Sequence, residues 1–382
     1  MKLAIVGSGN AGCITALHYH RFLDTSSVTD MIFPRNEIVI YHSPEKHPIE
    51  RVGQGTLPSL CELIETLDHD NFTWYNNHID ATFKSGVLYE GWGKLNDKFF
   101  HPFGLHQMSM HFVPQKLSNA VIESGHFTVI EKTITDPEKE IDADIIFDCR
   151  GRHNRDKSNY ETLINPLNSV LLCEKEGRDL DLIYTRTVAT PNGWTFIIPN
   201  KDSVSYGYLY NDTITSKEDA TEDFLERFNL PEIDGDLKFE NYMAKSMFVG
   251  ERTILNGNMF GFIEPMEATS LGLYEYICRQ VWDCVFGVQS PEVSDNNVRR
   301  YMKETETFIL WNYQYGSKYD TPFWEYAKSL PFEPDDVFKN ILNDPNISRQ
   351  RLSQGFPTQK YGQWVGWNMD IFKRNYETSL SK

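Results

Sequence analysis

Lys2-Leu-Ala-Ile-Val-Gly-Ser-Gly-Asn-Ala-Gly-Cys-Ile-Thr-Ala-Leu17 opens this chain and decides its fold. The apolar run Lys2 to Val6 reads as a strand and the glycines as a turn. Cys13 to Leu23 reads as a helix, with Ile14, Leu17 and Phe22 at helical spacing. Strand, glycine turn and helix in that order begin a dinucleotide-binding fold. Each glycine has its own task. Gly7 permits a tight turn, Gly9 lets the backbone approach a pyrophosphate, and Gly12 lets the helix pack close on the strand. Ser8, Asn10 and Ala11 complete the loop, and the helix N-terminus offers N–H groups and a favourable dipole to the phosphates. The second strand reads as Glu37 to His42. It closes on Tyr41-His42-Ser43, with Glu45 the first acid nearby, so the usual acidic ribose contact stays unassigned.

The net charge of −17 argues against nucleic acid or an anionic membrane as a partner. Six cysteines without a CxxC pair read as reduced thiols in a cytosolic protein and give metal ligation little support. The chain begins directly on its strand, leaving no room for a signal peptide, and no apolar run is long enough to span a bilayer. A cytoplasmic protein is expected. The 24 Phe, 19 Tyr and 8 Trp fit a packed aromatic core or a site for a planar ligand, and composition alone favours the core.

Farther along, Pro58 starts a helix carrying Leu60, Leu63, Ile64 and Leu67, where its missing N–H costs nothing. Ala81 to Val87 reads as a strand that places Lys84. His101 to Gly104 reads as a loop, Phe112 to Ser124 as a helix and Phe127 to Ile130 as a strand. The apolar run from Asp142 ends in Asp148-Cys-Arg-Gly151, as a covered parallel strand does beside a ligand. Between Asn154 and Lys245 the pattern is β-rich, and a helix begins near Leu271. Thr253-Ile-Leu-Asn-Gly-Asn258 returns to the first sheet and adds Gly257 to the cofactor-binding set. The expectation is an α/β fold with a Rossmann-like parallel-sheet lobe from about 1–60, 100–155 and 245–290. A β-rich substrate lobe takes about 61–99 and 156–244, and a helical region takes 291–382.

Eight segments in order carry a family resemblance. They are Gly7 to Gly12, Val52-Gly-Gln-Gly-Thr-Leu-Pro58, Thr82-Phe-Lys84, His101-Pro-Phe-Gly104, Asp148 to Gly151, Gly193-Trp-Thr-Phe-Ile-Ile-Pro199, Phe262-Ile-Glu-Pro-Met-Glu-Ala-Thr269 and Asp320-Thr-Pro-Phe-Trp324. Over most of its length the chain resembles the flavin-dependent halogenases, in particular the tryptophan-halogenase-like group, as a compact member. The resemblance implies FAD, used as FADH2 from a separate flavin reductase, which with oxygen and a halide ion yields hypohalous acid. That oxidant then halogenates an electron-rich aromatic small molecule. Lys84 matches the lysine that presents the oxidant and Glu267 the glutamate that takes the ring proton. Gly53, Gln54 and Thr56 fall in a cofactor loop, Thr269 and Ser270 at the halide, and His101 and Phe103 at the substrate. An ammonium beside a carboxylate suits this chemistry, since one fixes the oxidant and the other stabilises the cationic ring. Lys84 and Glu267 are expected to converge in one cavity. A lone lysine, though, more often faces solvent, and a helix-start glutamate can simply complement a dipole.

The departures from the family pattern carry expectations of their own. Ala268 removes a hydroxyl and Ser270 stands where glycine is usual, so bromide or iodide is expected to be favoured over chloride. Gln54 replaces a loop glutamate, and Phe196 replaces the second tryptophan of a GWxWxIP segment. Little sequence separates Gly104 from His111-Phe-Val-Pro114, which implies an open site for varied small aromatics rather than for tryptophan itself. An FAD-dependent aromatic monooxygenase and a non-catalytic flavin-binding module remain alternatives, and exposed aromatics are compatible with a homo-oligomer.

Overall fold

The computed structural model describes residues 1–24, 36–43, 52–65, 67, 77–104, 107–152, 155–177, 179, 182–345, 347 and 360–376. Glu45 lies outside the described residues. The chain is a mixed α/β protein with two compact units, 1–82, 109–162 and 241–299 in the first and 83–108, 163–240 and 300–382 in the second. Residues 61–82, expected in the β-rich lobe, thus cluster with the first unit, and residues 300–382 cluster with the second.

The first unit is built on a six-stranded sheet in the order Phe248–Val249, Thr253–Leu255, Ile145–Asp148, Lys2–Val6, Glu37–His42 and Thr128–Glu131. Every pairing is parallel except that of Phe248–Val249 with Thr253–Leu255. Leu3, Ala4 and Ile5 are fully buried, as a central parallel strand covered on both faces requires. The register sets Val6 level with Tyr41 and Asp148, and Asp148 level with Leu255. Four strands therefore end at one edge, the edge at which open α/β sheets bind ligands. The helices Asn10–Asp24 and Thr269–Val285 are tied by Tyr19 Oη donating to the Cys278 carbonyl at 3.0 Å.

The second unit holds a seven-stranded sheet in the order Gly235–Lys238, Ser169–Glu176, Ser203–Tyr210, Gly193–Pro199, Thr185–Thr190, Gly86–Glu90 and Lys98–Pro102. It is antiparallel except between Thr185–Thr190 and Gly86–Glu90. The helix Lys217–Phe228, capped by the Ser216 hydroxyl accepting from Asp219 N, lays Ala220 and Phe224 on Leu171, Cys173 and Tyr208. Trp92, Trp194, Trp311, Trp324 and Trp364 are each at most 1% exposed, so most of the tryptophan serves packing. Trp194 Nε1 donates to Tyr313 Oη at 3.0 Å, which satisfies the one polar atom that burial would strand.

Three local expectations need correction. Ala81 to Val87 is two strands, Thr82–Lys84 and Gly86–Glu90, because both the N–H and the hydroxyl of Ser85 donate to the Ile183 carbonyl. His101 lies in the strand Lys98–Pro102 opposite Val87, not in a loop. The helix expected from Phe112 begins only at Pro114, because the residue before a proline is held extended and Ser109–Phe112 is a strand. Among the described residues no helix is long and apolar enough to cross a membrane.

Candidate active site

In the first unit the glycine turn has the geometry its sequence implies. Gly7 sits at φ +109, and a Cβ there would lie 2.7 Å from the Cys149 carbonyl oxygen. A Cβ on Gly12 would run into the Gly7 carbonyl oxygen, whereas one on Gly9 would meet nothing within 4 Å. Two glycines are thus required by the protein's own packing. The third leaves an open cradle over the start of the helix Asn10–Asp24, which has no acidic residue in its first turn. That combination suits a pyrophosphate.

The loop carrying Gly53, Gln54 and Thr56 is hydrogen-bonded to this turn. Asn10 Nδ2 donates to Gln54 Oε1 at 2.8 Å, while Asn10 Oδ1 is buried without a hydrogen-bond partner. Thr56 is fully buried, hydrogen-bonded to Ser109 Oγ, and donates to the Leu57 carbonyl at 3.1 Å. Gln54 and Gly55 pair with Phe112 and His111, which fixes the loop beginning at Gly53. Gly257, at φ +66, presses against Ala11, where any side chain would strike the Ala11 Cβ. Asn256, fully buried, makes this approach possible. Its Nδ2 donates to Thr15 Oγ1 at 3.0 Å and to the Tyr274 carbonyl at 3.2 Å, and its Oδ1 accepts from Gly257 N at 2.7 Å. Nothing in the local sequence marks Asn256, because its partners lie up to 241 residues away.

Ser8 Oγ and His42 Nδ1 share a hydrogen bond of 2.6 Å. Asp148 is 2% exposed and is forked by Arg150, Nε to Oδ1 at 2.9 Å and a terminal nitrogen to Oδ2 at 2.7 Å. Burial pushes the Cys13 and Cys278 thiols up to about 12, so both stay protonated at neutral pH. Among the described residues no group of three or more His, Cys, Asp or Glu could hold a metal ion.

Glu267, also in the first unit, is 9% exposed. It does not sit in the helix Thr269–Val285. It takes φ +63 and Ala268 φ +57, two consecutive left-handed residues immediately before the helix. Both carry a Cβ, so the conformation is held against steric cost. Ala268 offers no side-chain cap to the first-turn N–H groups. Thr269 Oγ1 is buried without a hydrogen-bond partner, and Ser270 is half-buried. An uncapped helix start of this kind can take a small anion.

In the second unit Lys84 is 1% exposed, which departs from the common fate of a lysine at a strand end. Its Nζ stands 5.3 Å from the centre of the half-buried Phe103 ring. The N–H of Phe103 donates to the Ser85 carbonyl at 3.1 Å, so the ring is anchored one residue from the lysine. His101 is 8% exposed. Its Nε2 is 2.9 Å from Asn368 Nδ2 and its ring lies 5.0 Å from that of Phe372, the contacts of a histidine built into a core. Phe196 lies across the strand pair from Gly207, whose Cβ would collide with the ring. A cleft of about 360 Å³ bordered by Ile164, Arg300, Lys303, Glu306 and Phe332 shares no residue with these sites.

A family model described as tryptophan halogenase matches residues 2–119 and 120–351. Tryptophan 7-halogenase RebH of Lentzea aerocolonigenes is 25% identical over 284 residues, 69% of this chain and 50% of that protein. Tryptophan 6-halogenase ThaL of Streptomyces albogriseolus is 21% identical over 306 residues, 74% of this chain and 55% of that protein. The chain thus spans about half the length of the curated relatives it matches. Among solved structures, a tryptophan halogenase from Shewanella frigidimarina NCIMB 400 superposes with a TM-score of 0.81 at 18% identity, covering 100% of this chain and 90% of that one. BrvH, a flavin-dependent halogenase from Brevundimonas sp. BAL3, gives 0.77 at 17%, covering 98% and 89%. At such identities the superpositions speak for the fold.

Proposed function

This chain belongs to the tryptophan halogenase family, and from that premise we propose that it is a flavin-dependent halogenase acting on electron-rich aromatic small molecules. The observation that carries the reading is the burial of Lys84 at 1% exposure beside the Phe103 ring. An amine held away from bulk water is costly to bury and suited to fixing a reactive oxidant. When bound, FADH2 delivered by a separate reductase supplies the two electrons with which oxygen and halide yield hypohalous acid. Gly7, Ser8, Gly9, Asn10, Ala11, Gly12, Gly53, Gln54, Thr56 and Gly257 would hold that dinucleotide, and Thr269 and Ser270 the halide.

The remaining work falls to side chains. The Lys84 ammonium donates a hydrogen bond to the oxygen of the hypohalous acid and orients its halogen toward one ring carbon. The carbon–halogen bond forms as the halogen–oxygen bond breaks, and the departing hydroxide takes a proton from the Lys84 ammonium and leaves as water. Glu267 stabilises the cationic ring and accepts its proton. In this proposal Phe103 places the ring, and His101, paired opposite Val87, supports that segment. Ala268, lacking the hydroxyl, and Ser270, in the glycine position, reshape the halide site in favour of bromide or iodide over chloride. Substrates are varied small aromatics.

A coupled assay tests this. Purified chain receives FAD, a flavin reductase, NADH, oxygen, one of three halide salts and an activated phenol or indole. Halide-dependent halogenated product is expected, with chloride the slowest. Hydroxylated product without halide would favour a monooxygenase, and a colourless chain unable to bind FAD would favour a non-catalytic module. Chloride giving the highest turnover would remove the halide ranking alone.

A further inference from the structure

We infer that His42 recognises the adenosine ribose of the bound dinucleotide, at the position where such folds ordinarily carry a carboxylate. The inference rests on the flavin reading above and adds a residue to it. His42 is the last residue of the strand Glu37–His42 and stands one step beyond Tyr41, which is level with Val6. Gly7 N donates to the Tyr41 carbonyl at 2.9 Å, so the turn that cradles a pyrophosphate lies directly beside this strand end. A dinucleotide whose phosphates lie over Gly9 carries its adenosine toward the end of the second strand.

His42 is held at its backbone and at its ring. Lys132 N donates to the His42 carbonyl at 2.9 Å, which holds the backbone against Glu131 of the next strand. Ser8 Oγ holds Nδ1 at 2.6 Å. Among the described residues Ser8 is the only side chain hydrogen-bonded to His42, which leaves Nε2 as the ring atom able to meet a hydroxyl. The chemistry differs from that of a carboxylate in one respect. Two carboxylate oxygens can accept from both ribose hydroxyls, whereas a single imidazole nitrogen engages one. The adenosine grip here is correspondingly looser.

A bland alternative is that Ser8 and His42 only latch the turn, and the test separates the two. FAD affinity is measured by flavin fluorescence for the wild type, His42→Ala and His42→Glu. ADP and 2′,3′-dideoxy-ADP are then compared as competitors. The wild type is expected to prefer ADP by about fivefold, the value of one hydrogen bond. His42→Ala should erase that preference and weaken FAD by a similar factor, and His42→Glu should raise the preference above the wild type. Equal competition by the two nucleotides in the wild type, a comparison that needs no variant to fold, would overturn the inference. So would an unchanged preference in His42→Ala. A wild-type chain that binds no FAD at all would instead overturn the flavin reading, and this inference with it.

Discussion

The glycine turn of the first unit and the buried lysine of the second are both departures from an ordinary turn and an ordinary lysine, yet they are encoded in different ways. The turn is a backbone site. The groups it offers are main-chain N–H donors, and side chains enter mainly by their absence at Gly7, Gly9 and Gly12. Such a site is written in consecutive residues. Lys84 is a side-chain site, and its chemistry depends on what covers it, which is written elsewhere in the chain: Phe103 against the ammonium and Ile183 breaking the strand at Ser85. The first kind tolerates almost no added volume at Gly7 and Gly12. The second is sensitive to a single functional group while its surroundings can give.

That contrast is open to attack by substitution. The largest effect is expected at Lys84. Lys84→Met keeps the length and apolar stem and removes the nitrogen, so halogenated product should fall by about a thousandfold, the scale of a positioned proton donor. FAD binding should stay within about twofold, because uniform ligand binding does not draw on this group. The coupled assay and a flavin titration read the two quantities. A matched loss of both would show that the lysine supports the fold rather than the chemistry, and the distinction between the two sites would fail.

Gly12→Ala probes the backbone site. The added methyl has nowhere to go except into the Gly7 carbonyl, so the helix must move off the strand. A cost of about 3–4 kcal/mol is expected, at the upper end for overpacking a site whose obstacle is main chain. Chemical denaturation should read it as a lowered midpoint, together with weakened FAD binding. Asn256→Ala comes next. It removes a fully buried amide that serves Thr15, Tyr274 and Gly257 at once, so those groups lose partners with no water to replace them. About 2–3 kcal/mol is expected for such a junction. A loss under about 0.5 kcal/mol would mean that a neighbouring group or water takes over.

The order of these effects also marks what could be read from sequence. The strand Lys2–Val6, the glycine turn and the strand Ser203–Tyr210 are local patterns, and each is legible because its residues settle its conformation. Asn256 carries no local signature, since an asparagine before a glycine reads as an ordinary turn until Thr15 is placed beside it. His42 was noticeable only as a missing acid; its bond to Ser8 depends on a strand register that no short window contains. The burial of Lys84 was hidden for the same reason. Alternation distinguishes it from the 44%-exposed Phe83 but does not say which face is covered. His101 read as a loop residue because proline and glycine follow it, yet pairing with Val87 outweighs that local signal.

The smallest effect lies where the two kinds of encoding meet, at Ala268. This residue is a backbone device, left-handed at φ +57 beside an equally left-handed Glu267, and it aims a side-chain acid and a helix start at once. Alanine in that region costs about 1–2 kcal/mol relative to its ordinary conformations. Glycine would relieve most of this but adds about 0.5–1 kcal/mol of backbone entropy to be lost on folding. Ala268→Gly should therefore stabilise the chain by only about 0.5–1 kcal/mol, read as a small rise in the denaturation midpoint. If the strained pair is what holds Glu267 and the helix start in register, the same substitution should lower turnover severalfold while stability improves. Stability and turnover rising together would instead make the left-handed pair an incidental bend, and the proposed halide site would then rest on the helix start alone.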